Sequence, residues 1–483
     1  MTDVNDNGHA LRGGLRNCGL NIVRKIGGGS FGTVYSVTND KSELLAFKHI
    51  ISQIDGIDGL NEINVLASFY HPHIMWTEHL LTNKQAKHLN GIGLTLPLAD
   101  FPLFDIICND RFTIRYKLIT LFRIVSALKC LHDNNILHLD IKAENVVMRG
   151  KIEDTNPMLI DFGLSMMVDD VARGREFNRT LVTIDHRAPE ILAGGRVYNG
   201  AVDIWSLGTM FLYILRGGAI YDIDILAAED ADMLAEINRV FGTNRRNYIT
   251  LLLQDVHSAF RDQAVDLLDH MLDIDPVRRY DINAVISHEL FANVNEVIEC
   301  KVNPHKPVPY RLHNDFRDIM KVMVHWACNS FKMFRAEVLF LAIDLLYRCA
   351  DLLQPNRYDN QMLIAAVCLW IACKVVMDDV ITPVTYMVEA VKDFTEQPIT
   401  SKDLLCAEID IISELNGIIY RPYVYSNCSN LYQLKVVYDL LISREHYKSY
   451  PMWDLNKLIE DIGIGDATWP QNKDITIGEL LGC

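Results

Sequence analysis

The run His138-Leu139-Asp140-Ile141-Lys142-Ala143-Glu144-Asn145 constrains this 483-residue chain more than any other stretch. It sets a carboxylate, an ammonium and a carboxamide at the spacing that phosphoryl transfer requires. Asp161-Phe162-Gly163 begins 16 positions after Asn145, and far upstream lies Ile26-Gly27-Gly28-Gly29-Ser30-Phe31-Gly32-Thr33-Val34. Three such segments in this order call for a fold that brings a glycine hairpin, a polar loop and a second carboxylate to one cleft.

Size and composition agree with a large folded protein. The length suits two or three domains, and with 49% hydrophobic residues global disorder is excluded. A net charge of -16 makes the chain ill-suited to nucleic acid or to anionic membrane surfaces. The 11 cysteines are scattered with no Cys-x-x-Cys, which argues against a zinc ribbon and fits a reducing compartment. Residues 1–14 are polar and carry no signal-peptide pattern. The densest apolar stretch, Met362 to Cys373, is 12 residues long and suits a buried helix rather than a membrane span. The expected location is therefore intracellular, cytoplasmic or nuclear.

The patterning changes twice along the chain. After a flexible lead-in over 1–18, strand-like segments at Leu20–Ile26, Thr33–Thr38 and Leu44–Ile50 form a β-rich front. From about 112 onward the apolar residues recur at helical spacing, as at Leu118, Leu121, Phe122, Val125, Leu128 and Leu131. Pro304, Pro307 and Pro309 mark a semi-rigid connector. Beyond it the chain turns helical again. Asn360–Met377 is apolar nearly all round, and Ser401–Leu415 follows Thr400 or Ser401 as N-cap.

These motifs together resemble a protein kinase. Gly27, Gly29 and Gly32 give G-x-G-x-x-G; alone it is weak and equally suits an ordinary glycine-rich hairpin, but strands on both sides favour the kinase hairpin over a Rossmann turn. The resemblance implies that residues 26–32 cover the nucleotide phosphates, that Val34 and Ala46 pack on adenine, and that Lys48 holds the α- and β-phosphates. Its expected partner is Glu62 on a helix that two preceding glycines, Gly56 and Gly59, make short. Asp140 would take the substrate hydroxyl proton, Lys142 would neutralise charge on the transferred group, and Asn145 and Asp161 would hold Mg2+ beside ATP. Lys142 resembles serine/threonine rather than tyrosine kinases. The adenine hinge has no sharp signature; Leu94-Thr95-Leu96-Pro97-Leu98 is the candidate, with Leu96 and Leu98 lining the site. Glu190, Asp203 and Arg279 resemble structural anchors, Arg279 pairing with Glu190 and Asp203 holding the catalytic loop from beneath. For any one of these residues the plainer reading is a surface lysine or an incidental loop match.

Two departures concern regulation. Leu139 stands where the family usually has an arginine that grips an activation-segment phosphate. The segment Thr180–Glu190 resembles cyclin-dependent kinases, yet the position of their activating threonine falls on Asn178, with Thr180 nearby as a displaced candidate. Their inhibitory tyrosine maps to Phe31, which cannot be phosphorylated, whereas Ser30 could be. Val182 and Arg187 point weakly to substrates in which proline follows the acceptor Ser or Thr.

Residues 315–425 resemble one cyclin box through Phe340–Arg348, Leu363–Lys374 and Leu405–Leu415, although each stretch alone is an ordinary buried helix. The resemblance implies that Lys374 and Glu408 contact the kinase beside its Glu62 helix. The family's buried Arg–Asp pair falls on Met320 and Tyr347, and Ile319, Val322, Met323 and Trp326 form an apolar face that reads as core or as a docking groove. The expectation is therefore an α+β chain: a two-lobed kinase fold over 19–295, a linker over 296–314, an all-α cyclin-like domain over 315–425 and a helical extension over 426–483. Kinase–cyclin fusions of this kind resemble products of large DNA viruses. The implied function is a serine/threonine kinase with ATP and Mg2+, acting on protein hydroxyls and activated in cis. A pseudokinase that presents a cyclin domain, and a kinase with an unrelated helical docking tail, stay open as alternatives.

Overall fold

The computed structural model describes residues 11–419 apart from 30–31, 54–55, 58–59, 83–84, 87–88, 90, 155, 168–183, 196–198, 226, 293, 295–297, 299, 303–322, 324–337, 339–340, 343–344, 347, 350–351, 353–357, 377–383 and 393–397. Ser30, Phe31, Asn178, Thr180, Val182, Ile319, Met320, Val322, Trp326, Tyr347 and the whole of 426–483 lie outside the described residues.

The N-terminal part is an antiparallel sheet in the order β1-β2-β3-β7-β6, from β1 (Asn21–Gly29), β2 (Gly32–Thr38), β3 (Leu44–Gln53), β6 (His79–Leu81) and β7 (Gly91–Pro97), with β4 (Gly56–Ile57) paired to β3. The three strands expected from alternation are therefore present. β1 and β2 close at Gly29 opposite Gly32. Gly32 has φ +147°, and a Cβ there would lie 2.4 Å from the His49 carbonyl oxygen, so only glycine fits the turn against β3. Helix α1 (Leu60–Ser68) and β5 (Phe69–Tyr70) pack beside the sheet.

The lead-in expected to be flexible over 1–18 is helical over 11–16. Leu11 and Leu15 are buried with Leu20, Val37, Phe47, Ala86 and Leu89 in a second apolar cluster on the sheet. Burial of two leucines is enough to order a short segment that composition alone reads as loose.

The helical body holds α2 (Ile114–Asp133), α3 (Pro189–Leu192), α4 (Ala201–Arg216), α5 (Asp230–Phe241), α6 (Arg245–Leu252), α7 (Ser258–Met271) and α8 (Ile282–Ile286). α4 is buried on nearly every side, with Trp205, Phe211 and Leu212 fully enclosed. Short strands frame the junction between the two lobes: β8 (Phe101–Pro102), β9 (Ile136–Leu137), β10 (Val146–Arg149), β11 (Asn156–Leu159) and β12 (Met166–Met167). β10 pairs with both β11 and β8, and β12 with β9.

The connector is tied down at its start. Strand β13 (Lys301–Val302) pairs antiparallel with β5, directly after α1. Cys130 of α2 and Cys300, 170 residues apart in sequence, form a disulfide that the cysteine spacing did not foretell. Such a separation leaves no local spacing for a sequence reading to catch. Beyond lie α9 (Tyr358–Val376), α10 (Val384–Lys392) and α11 (Ser401–Glu414), with buried Leu341, Ala342, Leu345, Leu346 and Cys349 at helical spacing before them. Thr400 is the N-cap of α11 and forms a capping box with Asp403. Met362 and Ile364–Cys373 of α9 are buried, as an all-round apolar helix must be. No helix among the described residues is long and apolar enough to cross a membrane.

Candidate active site

Strand register sets the upper half of the cleft. Lys48 on β3 lies opposite Val34 on β2 and Leu94 on β7, while Ala46 lies opposite Leu96. Val34 and Leu98 are half-buried against the apolar cluster that contains Ala46 and Leu96. Gly27 and Gly28 face Val34 and Thr33 across the hairpin, and Ile26 is 40% exposed at its rim. Lys48 Nζ lies 2.5 Å from both carboxylate oxygens of Glu62 on α1. Burial pushes the Glu62 carboxyl above its ordinary range, and the adjacent Lys48 ammonium opposes that push.

The lower half depends on one buried carboxylate. Asp203, near the start of α4, accepts the backbone N–H of His138 and of Leu139, each at 2.9 Å, and meets His132 Nε2 at 2.9 Å. Burial would raise Asp203, yet the hydrogen bonds and charges of His132 and His138 together outweigh it and hold the carboxyl below its usual range. Leu139 is pinned with φ +66°, a left-handed conformation that a bulky side chain adopts only under outside constraint. The His138 ring is fully buried, and burial lowers its pKa. Its Nδ1 accepts the Asp140 N–H at 3.2 Å, so the proton sits on Nε2, 3.2 Å from the Ile160 carbonyl. Phe162, also fully buried, packs on that ring at 5.1 Å between centroids.

The loop then turns its polar groups together. Asp140 Oδ2 accepts from Lys142 Nζ at 2.7 Å and from Asn145 Nδ2 at 2.7 Å. Asn145 Nδ2 also reaches the Asp140 carbonyl at 2.8 Å. Val146 pairs with Leu159 in the β10–β11 hairpin, and Ile160 N–H donates to the Asn145 carbonyl at 2.9 Å. The hairpin thus delivers Asn145 and Asp161 to the same end. Asp161 also has positive φ, +64°.

This set fits a hard divalent cation with few protein ligands. The Asn145 amide nitrogen is committed to Asp140, so its oxygen is the atom it can offer, beside the Asp161 carboxylate. Among the described residues no group of three or more His, Cys, Asp or Glu could hold a metal by itself. One amide oxygen and one carboxylate suit Mg2+, which takes one or two carboxylates and completes its shell with phosphate and water.

Further out, Arg279 is bidentate on Glu190 at 2.8 and 3.0 Å and lies over the Trp205 ring. Arg187 is 2.5 Å from Asp230. A family model described as a protein kinase domain matches residues 20–291, more than half of the chain. The chain belongs to the protein kinase family. A model of the cyclin N-terminal domain matches 289–419 of this kinase, which is thus an α+β kinase fold followed by a cyclin-like helical domain. Mitogen-activated protein kinase 13 of Arabidopsis thaliana is 26% identical over 312 residues, covering 60% of this chain and 83% of that protein. Mitogen-activated protein kinase 4 of the same plant is 28% identical over 301 residues, covering 57% and 78%. Cyclin-dependent kinase E-1, also from Arabidopsis thaliana, is 26% identical over 316 residues, covering 56% and 66%. The kinase is of the serine/threonine type, akin to both groups, and its nucleotide and metal are ATP and Mg2+.

In the helical domain Lys374 and Glu408 form an ion pair with each other, Glu408 fully buried and Lys374 also over the Trp370 ring. Their helices face the kinase: α9 packs on α1, and α11 on β4. Sequence reading missed His132 as a partner of Asp203; its place in the last turn of α2 was the only signal. It also missed the contact between Asn64 on α1 and Ile419, 355 residues away, for which no local signal exists.

Proposed function

We propose that this kinase transfers the γ-phosphoryl group of ATP to Ser or Thr hydroxyls of protein substrates in the manner of cyclin-dependent kinases, and that its own cyclin-like domain activates it in cis. The carrying observation is that Lys48 and Glu62 are paired in a chain whose helical domain packs on the helix bearing Glu62. In kinases that pair must be in place for activity.

Each residue has a task in this reading. Lys48, held by Glu62, grips the α- and β-phosphates. Residues 26–32 cover them, and Val34, Ala46, Leu96 and Leu98 enclose the base. Asp140 accepts the hydroxyl proton as the acceptor oxygen bonds to phosphorus and the bond to the β-phosphate oxygen breaks. Lys142, already on Asp140, neutralises the group in transit. Asn145 and Asp161 would hold Mg2+, which supplies charge neutralisation on the phosphates when bound. Leu139 fills the place of a phosphate-gripping arginine, which supports activity without an activation-segment phosphate. Arg187, paired with Asp230, and Val182 support a preference for proline after the acceptor residue.

The test uses the full chain, its Asp161→Asn form and a form ending after Cys300, on Ser-Pro and non-Pro peptides. Full-length protein should phosphorylate Ser-Pro peptides, Asp161→Asn should lose turnover, and truncation should abolish it while the kinase part stays folded by melting. Persistent activity after truncation would leave the tail a recruiting module only. Full activity of Asp161→Asn would reject the catalytic reading itself.

A further inference from the structure

The turn that follows α11 is bonded into the helix that carries Glu62. Ile419 N–H donates to Asn64 Oδ1 at 2.8 Å, inside a buried contact. Asn64 is 2% exposed, and Ser68, one helical turn on, reaches the same oxygen at 3.4 Å. The other side of that peptide is gripped too. The Arg348 guanidinium donates to the Ile419 carbonyl at 2.8 Å and also to the Ile418 carbonyl. Just before them Gly417 has φ +78°, and a Cβ there would lie 3.0 Å from Ile63 Cγ2, 3.2 Å from Ala67 Cβ and 3.2 Å from Leu80 Cδ1. The turn therefore sits flush on α1 and has no room to move closer.

We infer that Asn64 is a positioning residue: through it, Arg348 and the 415–419 turn hold α1 at the angle at which Glu62 reaches Lys48. This rests on the reading that the kinase is activated in cis and names the contact that does it. Asn64 is two residues from Glu62, about 200° round the helix. One side of α1 thus answers to the cyclin-like domain and the opposite side to the active-site lysine. A nine-residue helix has little stability of its own, so its placement follows its neighbours. β13 on β5 restrains the chain just past its C-terminal end, and the Asn64 contact acts on the helix itself, beside the packing of α9.

The experiment compares full-length protein with Asn64→Ala, Arg348→Ala and the double variant, reading deuterium uptake over 60–68 and peptide turnover. Arg348→Ala should raise uptake over 60–68, although the substitution lies in the other domain. Each single variant should lower kcat roughly tenfold, the scale of one buried hydrogen bond. The double variant should lose no more than either single one, because both act through one contact. Asn64→Asp, which keeps the acceptor oxygen, should recover much of the protection; a residue needed only for packing would not be rescued this way. Should Arg348→Ala melt the helical domain, Gly417→Ala tests the same seat and should raise the same uptake. Unchanged uptake over 60–68, or multiplicative losses in the double variant, overturns the inference. If the unmodified chain transfers no phosphate, the kinase reading fails, and the uptake result alone decides the positioning role.

Discussion

At the residue scale, Asp203 organises more of the site than any residue that would touch substrate. Its two oxygens accept two consecutive backbone amides and an imidazole while fully buried. An asparagine there offers one acceptor for those donors. Asp203→Asn should cost about 2 kcal/mol of stability, read from the urea midpoint, and a loosened loop should lower turnover roughly a hundredfold. Two histidines predict a pH dependence. Burial, helped by His73, pushes His71 from 6.5 down to about 3, and burial lowers His138 as well. Below pH 6.5 the unfolded chain binds protons that the folded one refuses, so stability is full above that pH and falls as acid is added. Each histidine contributes a slope of up to about 1.4 kcal/mol per pH unit. The urea midpoint should therefore drop between pH 7.5 and 5.5; a flat profile contradicts the neutral, buried state of both rings.

At the scale of elements, α1 is a helix of only nine residues that carries the partner of the active-site lysine. Leu60, Glu62, Ile63, Asn64, Val65, Leu66, Ala67 and Ser68 are all buried, so its conformation is imposed by what surrounds it. The expected brevity of this helix was legible from Gly56 and Gly59; its burial was not, because part of its cover comes from the turn at Ile419, 355 residues away. The α9–α11 pair shows the opposite balance. Lys374 and Glu408 join two helices whose apolar pattern was already plain. Removing one partner strands a charge in the core, so Glu408→Ala should destabilise the helical domain by about 3 kcal/mol, measured as an earlier thermal transition. Cys406, exposed two positions away on α11, provides the control: Cys406→Ser should leave that transition within about 0.5 kcal/mol.

At the scale of the whole molecule, tethering changes what the cyclin-like domain has to do. A free partner must overcome association entropy, whereas a linked one sits at an effective concentration on the order of millimolar. Residues 300–302 fix the start of that link to α2 and β5. Turnover per molecule should thus stay constant as the protein is diluted from about 1 µM to about 1 nM. Adding the isolated cyclin-like domain in trans should not raise it. A fall in specific activity on dilution would show that the domains engage between chains.

The sequence by itself determined the catalytic loop, the lysine strand, the Asp161 turn and the buried helices of both domains. Their signals are short-range: fixed spacings and apolar periods survive in any linear reading. Only the tertiary structure decided that His132 and Asp203 meet, that Cys130 and Cys300 bond, that residues 11–16 fold back on the sheet, and that Ile419 closes on Asn64. Those contacts join segments through burial and single hydrogen bonds, which carry no spacing of their own and form only once the chain has closed around them.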